Sequence, residues 1–181
     1  LAWSYAQEGK LDLAMQTQDK MLARYGATGS SADLSTAYLN KGHILFNEKN
    51  YKAAARTYEA FLADFPNHPD RSLALYQAGM CYQRTGQTGD AVDRWEEVTG
   101  IDPSSAIAEK AWTRSGDVYF TTGHYDKARY CYEGLLSHFG ESSGAAVALL
   151  RMAQCDYNAG RYPRAVESFS EVISRFPDHA V

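Results

Sequence analysis

Four phrases recur along the chain at a single spacing. EKNYKAA, RTGQTGDA, TTGHYDKA and NAGRYPRA bring Ala54, Ala91, Ala128 and Ala165 to equivalent places, each 37 residues after the one before. A partial copy, EGKLDLA, gives Ala14 the same role 40 residues before Ala54. A period of this length marks supersecondary units that cannot bury an apolar face alone, so the stack of units is what folds.

Inside each unit the apolar spacing is helical rather than alternating. In the third, Ala108, Ala111, Trp112, Val118 and Tyr119 predict a helix over 108–122. Gly123 ends it, where a left-handed residue is needed and glycine carries no Cβ penalty. His124, Tyr125 and Asp126 form the turn, and Ala128, Tyr132, Leu135 and Leu136 mark a second helix over 126–138. Pro66, Pro103 and Pro177 stop the second helices, because proline has no N–H with which to continue them. The spacing predicts one all-α array over 1–181, with nine or ten helices: a partial unit at about 1–31, then full units at 35–68, 72–105, 109–142 and 146–179. The chain opens Leu1-Ala2-Trp3 inside a helical pattern, which reads as a segment of a longer protein.

The repeat matches the tetratricopeptide pattern W-x2-L-G-x2-Y, then A-x3-F, then P. The third unit offers Trp112, Gly116, Tyr119, Gly123, Tyr125, Ala128 and Tyr132, and the second Leu75, Gly79, Tyr82, Gly86, Ala91, Trp95 and Pro103. The first offers Tyr38, Gly42, Leu45, Tyr51, Ala54, Tyr58 and Pro66; the fourth Leu149, Ala153, Gly160, Tyr162, Ala165, Phe169 and Pro177. Leu1, Ala2, Tyr5, Gly9, Leu11 and Ala14 supply the partial unit. The chain resembles the tetratricopeptide repeat (TPR) family over essentially its whole length. That resemblance implies a right-handed α-α superhelix, with first helices lining a concave groove and second helices forming the back. Small residues let helices approach closely, and large ones such as Trp95, Trp112, Tyr132 and Phe169 fill the space between hairpins.

Three departures stand out. The period is 37 residues rather than the family's usual 34, with the excess in loops such as PNHPDRS and GESSGAA. Phe61, Val98, Leu135 and Val172 occupy a place where the family usually has a second alanine, and the endings AFLADFP, GLLSHFG and EVISRFP resemble a bacterial cell-envelope branch. That branch includes the periplasmic partner protein of the Tol-Pal system and the lipoprotein of the outer-membrane β-barrel assembly machine, so it implies a periplasmic or cell-envelope setting; the cytoplasm is the alternative. Finally, Asp156 stands where other units have Tyr5, Leu45, Tyr82 and Tyr119. A buried unpaired carboxylate is costly, so Asp156 is expected to reach solvent or an arginine, with Tyr157 taking over the packing.

Composition narrows the function. Hydrophobic residues make up 45% of the chain, too many for a disordered one. With 18 Lys+Arg against 22 Asp+Glu, the net charge of −4 argues against a nucleic-acid binder driven by bulk charge. The longest apolar run, at 145–150, is far too short to span a membrane. Cys81, Cys131 and Cys155 lack zinc or redox spacing and read as core residues. No phosphate loop, HExxH or GxSxG motif is present, and the Glu96–Glu97 pair is expected on the solvated back. His68, His124 and His179 fall in turns and His138 at a helix end, while His43 is expected to face the groove. The expectation is a non-enzyme that needs no cofactor or metal.

The resemblance places the partner-binding residues on the first helices: His43 and Phe46; Tyr76, Gln77, Met80 and Arg84; Lys110, Arg114, Asp117 and Phe120; Arg151, Gln154 and Tyr157. These include four cations and one carboxylate, so a basic face is expected on an acidic chain. Lys110 and Arg114 also match the pair with which some chaperone-binding members clamp a C-terminal carboxylate. Gln77 stands in for one asparagine, while Leu39 and His43 depart from the clamp. The resulting expectation is a scaffold that binds a protein or peptide segment carrying acidic or carboxylate groups. The alternatives are a spacer that self-associates through uncapped ends, or a regulatory module of a multidomain protein.

Overall fold

The computed structural model describes residues 4–5, 10–28 and 31–177. Leu1, Ala2, Trp3, Gly9 and His179, named above, lie outside them. Among the described residues nine helices follow one another and no strand occurs. They are α1 (Leu11–Thr28), α2 (Ser31–Asn47), α3 (Tyr51–Asp64), α4 (Arg71–Arg84), α5 (Thr88–Ile101), α6 (Ala106–Thr121), α7 (Tyr125–Phe139), α8 (Ala145–Asn158) and α9 (Tyr162–Arg175). The helices fall into two compact units, residues 1–94 and 95–181, with α5 running across the division.

The phased residues form the core. Ala54, Ala91, Ala128 and Ala165 are all buried, as are Tyr58, Trp95 and Tyr132 four residues further on, and Phe61, Val98, Leu135 and Val172 three beyond those. Substitution of alanine by the larger residues at the last set therefore fills the interior rather than decorating the surface. In unit 1, a Cβ built on Gly42 would lie 2.5 Å from the ring of Tyr58; in unit 2, one on Gly116 would lie 2.7 Å from the ring of Tyr132. Each glycine thus lets the first helix of a hairpin settle on a ring carried by the second.

The hairpin turns follow one rule with one exception. Gly86, Gly123 and Gly160 have φ of 82°, 79° and 76°, the left-handed conformation expected at the end of a first helix. Lys49 occupies the equivalent place before α3 and adopts φ of 61° despite its Cβ. A left-handed L-residue costs about 1–2 kcal/mol, partly offset in a glycine variant by the added freedom of the unfolded chain. Lys49→Gly is expected to raise stability by about 0.5–1 kcal/mol, read from the midpoint of urea unfolding; an unchanged or lower midpoint would contradict it. Second helices stop at Asp64, Ile101 and Arg175, each two residues before Pro66, Pro103 and Pro177.

Candidate functional site

In unit 1, the face expected to bind is built by α2 and α4. Phe46 packs edge-on against Tyr51 at 5.2 Å, and the Arg84 guanidinium lies 6.0 Å from the centre of the same ring. Tyr76 and Gln77 are half-buried, whereas Met80 is buried and belongs mainly to the interior. His43 meets the Tyr58 ring edge-on at 5.9 Å, and burial holds its imidazole below the ordinary histidine value.

In unit 2, α6 and α8 build the equivalent face. Arg151 lies 5.1 Å above the ring of Phe120, which also packs edge-on against Tyr125. The Arg151 guanidinium donates to Gln154 Oε1 at 3.2 Å. Tyr157 is 58% exposed and rests edge-on against Tyr162 at 5.4 Å. Lys110 is exposed, Arg114 is half-buried, and neither makes an ion pair with a described residue. Asp117, the one carboxylate of the set, accepts the Tyr132 hydroxyl at 2.8 Å. Three cations, one engaged carboxylate and two aromatic rings therefore share this face. An acidic peptide could meet bidentate guanidinium donors and apolar anchors here.

Asp156 is fully buried and does not reach solvent. Arg161 Nε donates to its Oδ1 at 2.8 Å and Arg129 Nε to its Oδ2 at 3.2 Å. Arg161 also reaches Asp126, and Arg129 reaches Glu133. Burial pushes the Asp156 carboxyl up, but hydrogen bonds from the two arginines outweigh it and hold the group below its ordinary value. The other interfaces use a different bond at this place. Tyr82 donates to Glu59 at 3.2 Å in unit 1, and Tyr119 donates to Glu96 at 2.9 Å in unit 2. Tyr157 does not take over the packing; its ring is largely exposed.

Cavities open on the second-helix side. In unit 1, one of about 470 Å³ lies between α1 and α3 over Tyr38, Lys41 and Leu45 of α2. In unit 2, one of about 460 Å³ is lined by Glu96, Thr99 and Gly100 of α5, Pro103, Trp112 of α6, and Tyr130, Cys131 and His138 of α7. A neighbouring cavity of about 410 Å³ shares Glu96 and Tyr130 with it. Tyr38 and Leu45 are the repeat equivalents of Trp112 and Tyr119, so the same crevice recurs two repeats apart. The repeat pattern puts Trp112 between hairpins and Glu96 on the back, but carries no sign of the space between them. That space depends on helix separation, for which the only sequence signals are the small residues Gly100 and Gly134.

All three cysteines are buried and free. Burial pushes the thiols of Cys81 and Cys131 up to about 12 and that of Cys155 up to about 11, which disfavours the nucleophilic thiolate. Among the described residues no three His, Cys, Asp or Glu side chains gather where they could hold a metal ion. No described helix is long and apolar enough to cross a membrane.

Comparison with known proteins agrees with the architecture. Tetratricopeptide repeat family models match residues 33–104, 109–137 and 147–179. Hsp70-Hsp90 organizing protein 3 of Arabidopsis thaliana is 29% identical over 98 residues, which is 54% of this chain and 16% of that protein. The chain spans 8% and 16% of the lengths of the curated relatives it matches here. Among solved structures, MamA superposes with a TM-score of 0.74 at 18% identity, covering 100% of this chain and 92% of that one. YrrB, described as a TPR protein with an unusual peptide-binding site, superposes with a TM-score of 0.70 at 18% identity, covering 98% and 84%.

Proposed function

Because this chain belongs to the tetratricopeptide repeat family, we propose that it is a non-catalytic scaffold that holds an acidic peptide segment against the first helices of unit 2. The observation that carries this reading is the pairing of Arg151 with Phe120, whose helix also carries Lys110 and Arg114, which make no ion pair with a described residue. A ligand carboxylate there gains charge-assisted hydrogen bonds without displacing a protein partner. Its apolar side chains find Phe120 and the exposed ring of Tyr157. The peptide-binding title of YrrB supports a peptide as the ligand class. The setting we propose, the bacterial cell envelope, rests on the resemblance of the second-helix endings.

The test is a titration with an acidic hexapeptide bearing a free C-terminal carboxylate, against its amidated glutamine counterpart. The acidic peptide is expected to bind at least tenfold more tightly, given two charge-assisted contacts of about 1 kcal/mol or more each. Arg114→Glu with Arg151→Glu is expected to abolish the difference while leaving helical circular dichroism unchanged. Equal affinity of the two peptides, or an unaffected preference in the double variant, would sink the assignment.

A further inference from the structure

We propose that the open face of α9 is a docking surface for a helix of a partner protein, one with small and aliphatic residues along its contact stripe and an arginine at one end of it. Tyr162, Val166, Phe169 and Ile173 recur at i, i+4, i+7 and i+11, so they share one face of α9. Tyr162, Val166 and Ile173 are 58%, 64% and 62% exposed, and Phe169 is half-buried. A bare apolar stripe of this kind marks a surface that another molecule covers.

Two interfaces inside the molecule show what such a face accepts. In unit 1, where α4 packs on α3, the repeat equivalents of Val166, Phe169 and Ile173 are Ala55, Tyr58 and Leu62, all buried. In unit 2, α8 packs on α7 in the same way. Both covering helices bury an alanine–leucine step, Ala74–Leu75 and Ala148–Leu149, and a small residue further on, Gly79 and Ala153. Each interface also seats a guanidinium on an aromatic pair at a hairpin turn. Phe46–Tyr51 receives Arg84 of α4, and Phe120–Tyr125 receives Arg151 of α8. Tyr157–Tyr162 is the third such pair, edge-on at 5.4 Å, and no described cation rests on it. An arginine of the partner helix fits there. Tyr157 borders the first-helix face as well, but the α9 stripe is separate from it.

The stripe also dictates what the partner lacks. Val166 stands at the place of Arg129, which holds Asp156 of α8. Ser170 stands at the place of Glu59, which accepts from Tyr82 of α4, and its hydroxyl donates to the Val166 carbonyl of its own helix. A carboxylate at the Asp156 place of the covering helix would meet hydrocarbon here, so leucine fits that place and aspartate does not.

The test titrates the intact chain with acetyl-Glu-Ala-Ala-Ala-Leu-Ala-Gln-Ala-Ala-Lys-Ala-Leu-Gln-Arg-amide, which keeps the spacing of small, leucine and arginine residues along α4. A twin carries aspartate in place of the second leucine. Ile173 and Ile101 are 62% and 51% exposed, so isoleucine δ1-methyl NMR reads the stripe and a control together. The leucine probe is expected to move the Ile173 signal saturably at millimolar concentration and to leave Ile101 in place. The aspartate twin is expected to bind about fivefold more weakly or worse. Val166→Arg, at an exposed position, is expected to reverse that preference, because it rebuilds the Arg129–Asp156 pairing across the contact. Arg→Gln in the probe is expected to weaken binding up to about fivefold. The proposal is overturned if Ile173 stays put, if Ile101 moves equally, if Val166→Arg leaves the preference as it was, or if the probe arginine is dispensable. It is overturned too if the chain alone sediments as a dimer that Val166→Arg dissolves, since a second copy then occupies the stripe.

Discussion

Asp156→Ala is expected to destabilise the chain by about 2–3 kcal/mol, because it removes the buried carboxylate that two arginines share and leaves each with one exposed partner, Asp126 for Arg161 and Glu133 for Arg129. Arg129 and Arg161 are only partly exposed, at 18% and 28%, so water compensates them incompletely. Asp156→Tyr is expected to cost less than half as much. It restores the residue type found at the two preceding interfaces, and its hydroxyl can turn to Glu133, the repeat equivalent of Glu59 and Glu96. Equal losses for alanine and tyrosine would contradict this. The pH dependence follows from the direction of the shift. The native carboxyl titrates below its ordinary value of 3.8, so its contribution is complete above that value and is lost as pH falls through the lower native one. Below about pH 4 the wild type should therefore lose stability more steeply than Asp156→Asn. Parallel acid profiles would count against the clamp.

Gly116→Val is expected to cost about 3 kcal/mol or more, through overpacking against Tyr132. The Cβ has 2.7 Å where ordinary contact needs 3.4 Å or more, and the ring is itself buried and tied to Asp117 by its hydroxyl. Relief must therefore come from the helix backbone. Gly116→Ala should be costly alone but close to neutral in a Tyr132→Leu background. There the space is open, and alanine is the better helix former by about 1 kcal/mol. The coupling between the two positions, read from denaturant unfolding of the four variants, should exceed about 1 kcal/mol. Additive effects would mean that Gly116 and Tyr132 do not form the contact described.

Repetition made the fold legible. The phased alanines, the left-handed glycines and the prolines are local devices with local meanings, and the hairpins obey them except at Lys49, which replaces a glycine, and after α7, where Gly140 follows in place of a proline stop. Lys49 was harder to read, because a lysine carries no left-handed signature; only its alignment with Gly86, Gly123 and Gly160 reveals it. Asp156 was legible as an anomaly but not as a clamp. Its partners are five and 27 residues away, and helix packing brings them together. A clue was present in register: Arg129 and Arg161 stand where the preceding unit has Val92 and His124, so three unusual charges enter at one boundary. The second-helix cavities were not legible, since the pattern specifies which residues pack but not how much room they leave. Trp112 fills the space between hairpins as the pattern implies; the unsatisfied N–H on the same side chain depends on atoms the pattern does not specify.

The charged clamp also bears on how a chain of look-alike hairpins finds its order. Hairpins repeating every 37 residues present similar faces, and a slipped pairing by one repeat would preserve most apolar contacts. At the boundary of α8 such a slip is penalised. Docked one unit too early, Asp156 would keep Arg161 from its own hairpin but face Val92 in place of Arg129, so one of the two charge-assisted bonds to the buried carboxylate would be lost. The tyrosine–glutamate bonds at the earlier boundaries are alike and would tolerate exchange; the arginine–aspartate lock would not. One boundary thus acts as an address, so that the last hairpin has a single place to go.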